Sequence, residues 1–182
     1  MANKVDVRIV KSKESLMNAL VNLLSKKKLE DLTISEICQE ADVNRNTFYS
    51  HYTSIRELFE EMRGKYLESL LSSTKVFDEP SDSALKSLTT ILDKMKDKGE
   101  LTRIVFSEAN ASNFLNNILK FYFPQTIIHN HRSNYFSLEE CHSFIIGGIS
   151  YIIIQWIENG FQESPKFLAR KINNFIEEIN EV

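Results

Sequence analysis

The segment VNRNTFYSHY, residues 43 to 52, gathers one Arg, two Asn, a Thr, a Ser, a His and three aromatics into ten positions. In a major groove, Arg can pair with guanine O6 and N7 and Asn with adenine N6 and N7, while shorter polar groups position a protein on the phosphate backbone. At 100° per residue, a helix here puts Phe48 and Tyr52 on one side. Asn46, Thr47, Tyr49 and Ser50 then point largely away, with Arg45 at the flank of the first turn. One face packs and the other is free to bind. An ordinary polar helix face is an equal reading of these ten residues, because helix-turn-helix geometry also occurs in proteins that bind no DNA.

Other reactive residues lack a matching pattern. His129, His131, Cys141 and His142 could be read as metal ligands, but the H-x-H spacing suits adjacent ligands only on a strand or loop, and no carboxylate completes the set. No metal and no cofactor is expected. Cys38 and Cys141 are far apart without CxxC spacing, which favours buried reduced thiols. There is no nucleophile-base pattern and no phosphate-binding Gly loop, and Gly147-Gly148 sits inside an apolar run, so catalysis is not expected.

The flanking segments position VNRNTFYSHY. A first helix is expected from about Val10 to Lys27, with Leu16, Leu20, Leu23 and Leu24 as its stripe and Lys26 to Lys28 suiting its C-terminal dipole. Thr33 followed by Glu36 is a capping-box pattern opening a short second helix, with Ile34, Ile37 and Ala41 inward. In ADVN, Ala41 lets two helices cross closely, and Asp42 tolerates a left-handed turn. Val43 plugs the corner and Asn44 caps a third helix. This is a helix-turn-helix signature.

Ser54 and Glu57 repeat the capping pattern and start a long helix striped by Leu58, Met62, Tyr66 and Leu70. DEPSDS, 78 to 83, reads as a turn-rich break. A helix over 83 to 98 stops at Gly99 as a C′ residue, and helices over 101 to 109 and 112 to 123 precede Pro124. Ser137 with Glu140 caps a helix running to Asn159 and ending at Gly160, and Ser164-Pro165 starts the last one, striped by Phe167, Leu168, Ile172, Phe175, Ile176 and Ile179. The expected fold is all-α. It comprises a helix-turn-helix domain over residues 1–53 and a helical bundle over 54–182.

Bulk composition agrees with this division. The 182 residues are 42% hydrophobic, with only five Gly and three Pro, enough for a sizeable helical core. The net charge of -3 hides an asymmetry: residues 1 to 56 carry nine Lys or Arg against seven Asp or Glu. A phosphate backbone responds to that local excess rather than to the total. No apolar run of signal-peptide length opens the chain, and FIIGGISYIIIQWI, 144 to 157, falls short of the roughly 20 residues a membrane span needs, so no membrane partner is expected and a cytoplasmic location is.

The N-terminal third resembles the TetR family of transcriptional regulators over roughly residues 9 to 62. The resemblance rests on Thr33 capping the second helix, the Ala41-Asp42-Val43 turn, the Thr47-Phe48-Tyr49 run and the His51-Tyr52 pair. GGISYIIIQWIENGFQESPKFLA is similar to the end of a Firmicute subgroup that includes regulators of dihydroxyacetone kinase operons. The resemblance implies that residues 1–53 are a three-helix DNA-binding domain and 54–182 a helical domain for effector binding and dimerisation, with two-fold binding to a palindromic operator in double-stranded DNA. Base-reading positions then fall on Arg45 and Asn46, and backbone contacts on Thr33, Thr47, Tyr49 and His51, with Asn44 and Arg56 completing the set. Two positions depart from the family pattern. Asp42 stands where Gly is usual, and Ile55 where a phosphate-binding Lys is common, with Arg56 next to it as a substitute. Both departures favour an alternative, a protein-interaction module whose helix-turn-helix no longer binds DNA.

In the C-terminal part, Ile145, Gly148, Ile149, Ile152, Trp156 and Phe175 are expected to build a homodimer interface, since their helices are more apolar than one monomer face requires. Phe106, Phe114, Phe121, Tyr122, Phe144 and Tyr151 are candidates to line a pocket for a small apolar or aromatic effector, although such residues at helical spacing are more often plain core. A protein effector is the other possibility.

Overall fold

The computed structural model describes residues 4–72, 81–107, 111–123 and 136–181, and every regular element among them is helical. The helices are α1 (Lys4–Leu24), α2 (Ile34–Glu40), α3 (Arg45–Tyr49), α4 (Ile55–Leu71), α5 (Ser81–Asp97), α6 (Gly99–Phe106), α7 (Ala111–Tyr122), α8 (Leu138–Glu158) and α9 (Pro165–Glu181), with a 3-10 turn at Leu29–Asp31. The chain divides into two compact units, Met1–Ser69 and Leu70–Val182, with the division inside α4. Residues 53 and 54, the expected domain boundary, separate α3 from α4.

The first unit is small and closes on a few buried side chains. Leu16 and Leu20 of α1, Ile37 of α2, Phe48 after the turn and Leu58 of α4 are fully buried. α1 packs on α2, and α2 on α3. α1 starts earlier than expected and ends at Leu24, so Lys26 to Lys28 lie beyond it and do not cap its dipole. Lys27 instead reaches the Glu36 carboxylate at 2.5 Å.

In the second unit α5 packs on α9, α7 and α6 on α8, and α6 on both α5 and α7. Leu92, Met95, Val105, Ile146, Ile149, Ile153, Leu168 and Ile172 form its apolar centre. Ser81 to Ser83 already belong to α5 rather than to a break; residues 78 to 80 lie outside the described part.

Gly99 differs from the expected helix stop. It is the first residue of α6, and a Cβ there would meet the Phe161 ring at 3.1 Å, so the missing side chain admits that ring rather than a left-handed turn.

The α8 ends match expectation. Ser137 and Glu140 form a capping box, with Glu140 N donating to Ser137 Oγ at 3.2 Å and Ser137 N to Glu140 Oε2 at 2.8 Å. At the other end Gly160 has φ 76°, and Phe161 comes next at φ 59°. Phe161 N donates to Trp156 O and Gly160 N to Ile157 O, the paired bonds of a Schellman motif. The Phe161 ring packs edge-on to Trp156 at 4.8 Å, beneath the Arg103 guanidinium at 5.4 Å.

With 21 residues, α8 is long and apolar enough to cross a membrane by length and composition, unlike the shorter run read from sequence. Its inner face is spent on the chain's own core, including Ile145, Ile149, Ile153 and Trp156, which makes this weak evidence for insertion.

Candidate nucleic-acid interface

The VNRNTFYSHY segment is held from both ends by caps. At α2, Glu36 N donates to Thr33 Oγ1 at 3.2 Å, and Thr33 N and Oγ1 donate to Glu36 Oε2 at 2.9 and 2.8 Å. The Lys27 ammonium, followed by these Thr33 bonds, brings the Glu36 carboxyl down to about 2 from its ordinary 4.5. α2 ends in a second Schellman motif: Val43 N donates to Cys38 O and Asp42 N to Gln39 O, with Asp42 at φ 53°. Burial raises the Cys38 thiol pKa at this corner.

Asn44 then caps α3, its Oδ1 accepting from Asn46 N at 2.8 Å. Phe48 is fully buried, and its ring lies 5.8 Å from that of Tyr52, which burial also removes from solvent. The Tyr52 ring sits under Lys13 Nζ at 5.1 Å. Its hydroxyl lies close to the Glu61 carboxylate but has no partner at hydrogen-bond geometry among the described residues, and burial, then Glu61, pushes its pKa upward.

With Phe48 inward, helical spacing leaves the rest of α3 outward. Asn44, Arg45, Asn46, Tyr49 and Ser50 are exposed and Thr47 is half-buried. The Arg45 guanidinium lies 5.9 Å from the Tyr49 ring centre, with Nη2 3.4 Å from the phenolic oxygen. This pre-extends Arg45 along its own helix without burying it. The geometry puts a fork of donors, an amide and a phenol on one short face, the groups that suit base edges and phosphates.

His51 is half-buried, and its Nε2 lies 2.7 Å from Ser12 Oγ on α1. At α4, Glu57 N donates to Ser54 Oγ at 3.2 Å, but Glu57 Oε2 reaches back to Thr53 N and Oγ1, both at 2.7 Å, one residue further than a simple capping box. The Thr53 backbone bond lowers the Glu57 carboxyl pKa. Arg56 is exposed, with its guanidinium 5.7 Å from the Phe59 ring centre. Thr33, Asn44, Arg45, Asn46, Thr47, Tyr49, His51 and Arg56 therefore all lie in the first unit. Ser12 joins them unanticipated, because a partner 39 residues away leaves no mark on local spacing.

The candidate dimer set divides. Ile145, Ile149 and Trp156 are buried in the chain's own core, whereas Gly148 and Phe175 are exposed and Ile152 is half-buried. The candidate pocket set also divides. Phe106 lines an apolar cavity of about 20 Å³, room for about one water, and also borders an open groove of about 490 Å³ with Arg103, Ala111 and Ile157; the Phe114 ring lies 5.8 Å from that of Phe106. Phe144 and Tyr151 do not line the cavity. Helical spacing puts them outside, 80% and 66% exposed, and Tyr151 borders an open groove between α8 and α9. Phe121 and Tyr122 fall in α7, with side chains outside the described part. His129 and His131 also lie outside it. His142 is buried, with Nε2 2.6 Å from Phe123 O, and Cys141 is only half-buried.

Residues 16–62 match the model for bacterial regulatory proteins of the tetR family, and residues 82–178 a transcriptional regulator C-terminal region of the same group. An uncharacterized HTH-type transcriptional regulator, YxbF of Bacillus subtilis, is 24% identical over 184 residues, covering 96% of this chain and 47% of its own length. The chain thus spans about half the length of that curated relative. Among solved structures, the dihydroxyacetone kinase operon activator DhaS superposes with TM-score 0.58 at 19% identity, covering 93% of this chain and 96% of the other. The fatty acid degradation regulator FadR from Bacillus halodurans gives 0.54 at 14%, covering 91% and 94%. At these identities the two structures speak to the fold.

Proposed function

The chain belongs to the TetR family of transcriptional regulators, and on that premise we propose that it binds a palindromic DNA operator as a homodimer under effector control. Arg45 and Asn46 read bases. Thr33, Thr47, Tyr49, His51 and Arg56 hold the backbone, and Asn44 sets the start of the reading helix. The observation that carries this is the division of α3, with Phe48 fully buried while Arg45, Asn46 and Tyr49 stand exposed on its other side. Gel shifts of the full chain on genomic fragments test it, with retention of a discrete palindromic sequence as the expected result.

Dimerisation uses the outer face of α8 and α9. Phe144, Tyr151, Phe167 and Phe175 are exposed there beside Gly148, an apolar surface of the kind that marks interfaces. Ile145, Ile149 and Trp156 back that face from inside. Two half-sites about 34 Å apart, or a multiple of that rise, then require a fixed separation of the two α3 helices. An effector acts by changing that separation, and α4, which leaves the first unit directly, is the lever. Operator affinity with and without each candidate effector, measured reciprocally, tests this, because linkage requires the same factor both ways.

Asp42 favours a second reading, since its exposed carboxylate sits on the turn leading into α3. There the helix-turn-helix is retained as an interaction module without DNA affinity. Absence of any salt-sensitive retention of duplex DNA would decide for it.

A further inference from the structure

Resting on the base contact proposed for Arg45 and the phosphate contact proposed for Tyr49, we infer that Tyr49 is also a positioning residue for base reading: held on the backbone, its phenol sets the direction in which the Arg45 guanidinium meets the base edge.

Arg45 and Tyr49 are neighbours one turn apart on α3, and both are exposed. They are not equally free. The Tyr49 ring is rigid and stands edge-on to the fully buried Phe48, with centroids 5.7 Å apart at 87°. Arg45 carries its fork on a long flexible stem with no burial to fix it. The guanidinium carbon lies 5.9 Å from the Tyr49 ring centre while Nη2 lies 3.4 Å from the phenolic oxygen, so the fork is displaced toward the hydroxyl end of the ring. The braced side chain therefore directs the loose one.

The direction of the bond is not open. A guanidinium only donates, so the phenolic oxygen accepts from Nη2 and keeps its own hydrogen. A phosphate oxygen accepts that hydrogen, and the phenol serves both partners at once, a lone pair toward Arg45 and its O–H toward the backbone. Arg45 spends one N–H on Tyr49 and keeps the others for the paired bonds to guanine O6 and N7. Register on the backbone is thereby passed to the group that reads the base. Because the contact exists before DNA arrives, Arg45 also loses less freedom on binding.

A tyrosine that only held a phosphate would carry no sequence information, and its loss would weaken every duplex by the same factor. A tyrosine that aims Arg45 makes a different demand. Its loss must fall hardest on the duplex with the base that Arg45 reads.

The test is affinity of the full chain, at fixed salt, for a duplex selected by the wild-type protein from a random pool and for its single-base variants. Arg45→Ala identifies the base pair that Arg45 reads, as the one where preference relaxes. Tyr49→Phe keeps the ring against Phe48 and removes only the hydroxyl. It should weaken the selected duplex roughly tenfold and duplexes changed at that base pair only about twofold, so discrimination there falls roughly fivefold and is kept elsewhere. In an Arg45→Ala background the same substitution should weaken all duplexes alike. One common factor for every duplex in the Arg45 background, including no loss at all, would overturn the positioning role, as would the same drop in discrimination when Arg45 is absent. Arg45→Ala with preference unchanged at every base pair, or a wild-type chain that selects no duplex, would overturn the underlying base reading instead.

Discussion

At the end of α2 the residue after the C-cap is Asp42 at φ 53°, and at the end of α8 it is Gly160 at φ 76°. Both corners close with the same pair of backbone bonds. They differ in the residue next along the chain. Beyond Asp42 comes Val43, half-buried, and then a five-residue helix whose outer face is almost all polar. Beyond Gly160 comes Phe161, also left-handed but buried, edge-on to Trp156, beneath Arg103, and with its carbonyl accepting from Lys96 Nζ at 2.9 Å. The α8 corner offsets its strain with burial; the α2 corner keeps a strained, exposed acid where a glycine would relax it. Corners that anchor can absorb backbone strain locally, whereas a corner that presents a binding face has few contacts to do so.

The largest test of that contrast is removal of each plug. Phe161→Ala should cost about 3 kcal/mol of unfolding free energy, against about 1 kcal/mol for Val43→Ala. Denaturant titration of both variants measures the gap, and equal losses would break the comparison.

Next comes the left-handed position itself. Gly160→Ala should lose about 1–2 kcal/mol, because a Cβ there meets both the φ penalty and Arg103 Nη2 at 3.3 Å. Asp42→Gly should move the other way, gaining about 0.5–1 kcal/mol, and should tighten duplex binding by removing a negative charge beside the reading helix. A destabilised Asp42→Gly variant would mean the aspartate makes a local bond worth more than its strain.

The smallest effect concerns the cap that holds α2 in place. The Glu36 carboxyl pKa lies near 2 in the folded chain against 4.5 ordinarily. Because it is depressed, its contribution is fully present above the unfolded value and fades as pH falls from about 4.5 toward about 2. The difference in thermal midpoint between wild type and Glu36→Gln should therefore be largest near neutrality and close in acid. A gap that persisted at the acid end would remove the ion pair as its source.

Local chemistry explains what the sequence made legible. Thr33 with Glu36, Ser137 with Glu140, Asn44 and Gly160 each act within five residues of their partners, so their spacing alone predicted the caps. Long-range partners were invisible. Gly99 reads as a helix stop until the Phe161 ring is seen against it, and the contact of Ser12 with His51 spans 39 positions. Apolar counting on α8 also overreached. Ile145, Ile149 and Trp156 are what a core helix needs for itself, and the outward residues are Phe144, Gly148 and Tyr151, spaced one turn from one another along the other face.

The most direct measurement is operator affinity and selectivity of Arg45→Ala against wild type, across single-base variants of the selected duplex at fixed salt. The expected result is a loss of roughly 1–3 kcal/mol with preference relaxed at one base pair in each half-site, while Thr47→Ala weakens all variants alike. Unchanged affinity and unchanged preference in Arg45→Ala would contradict base reading by this helix.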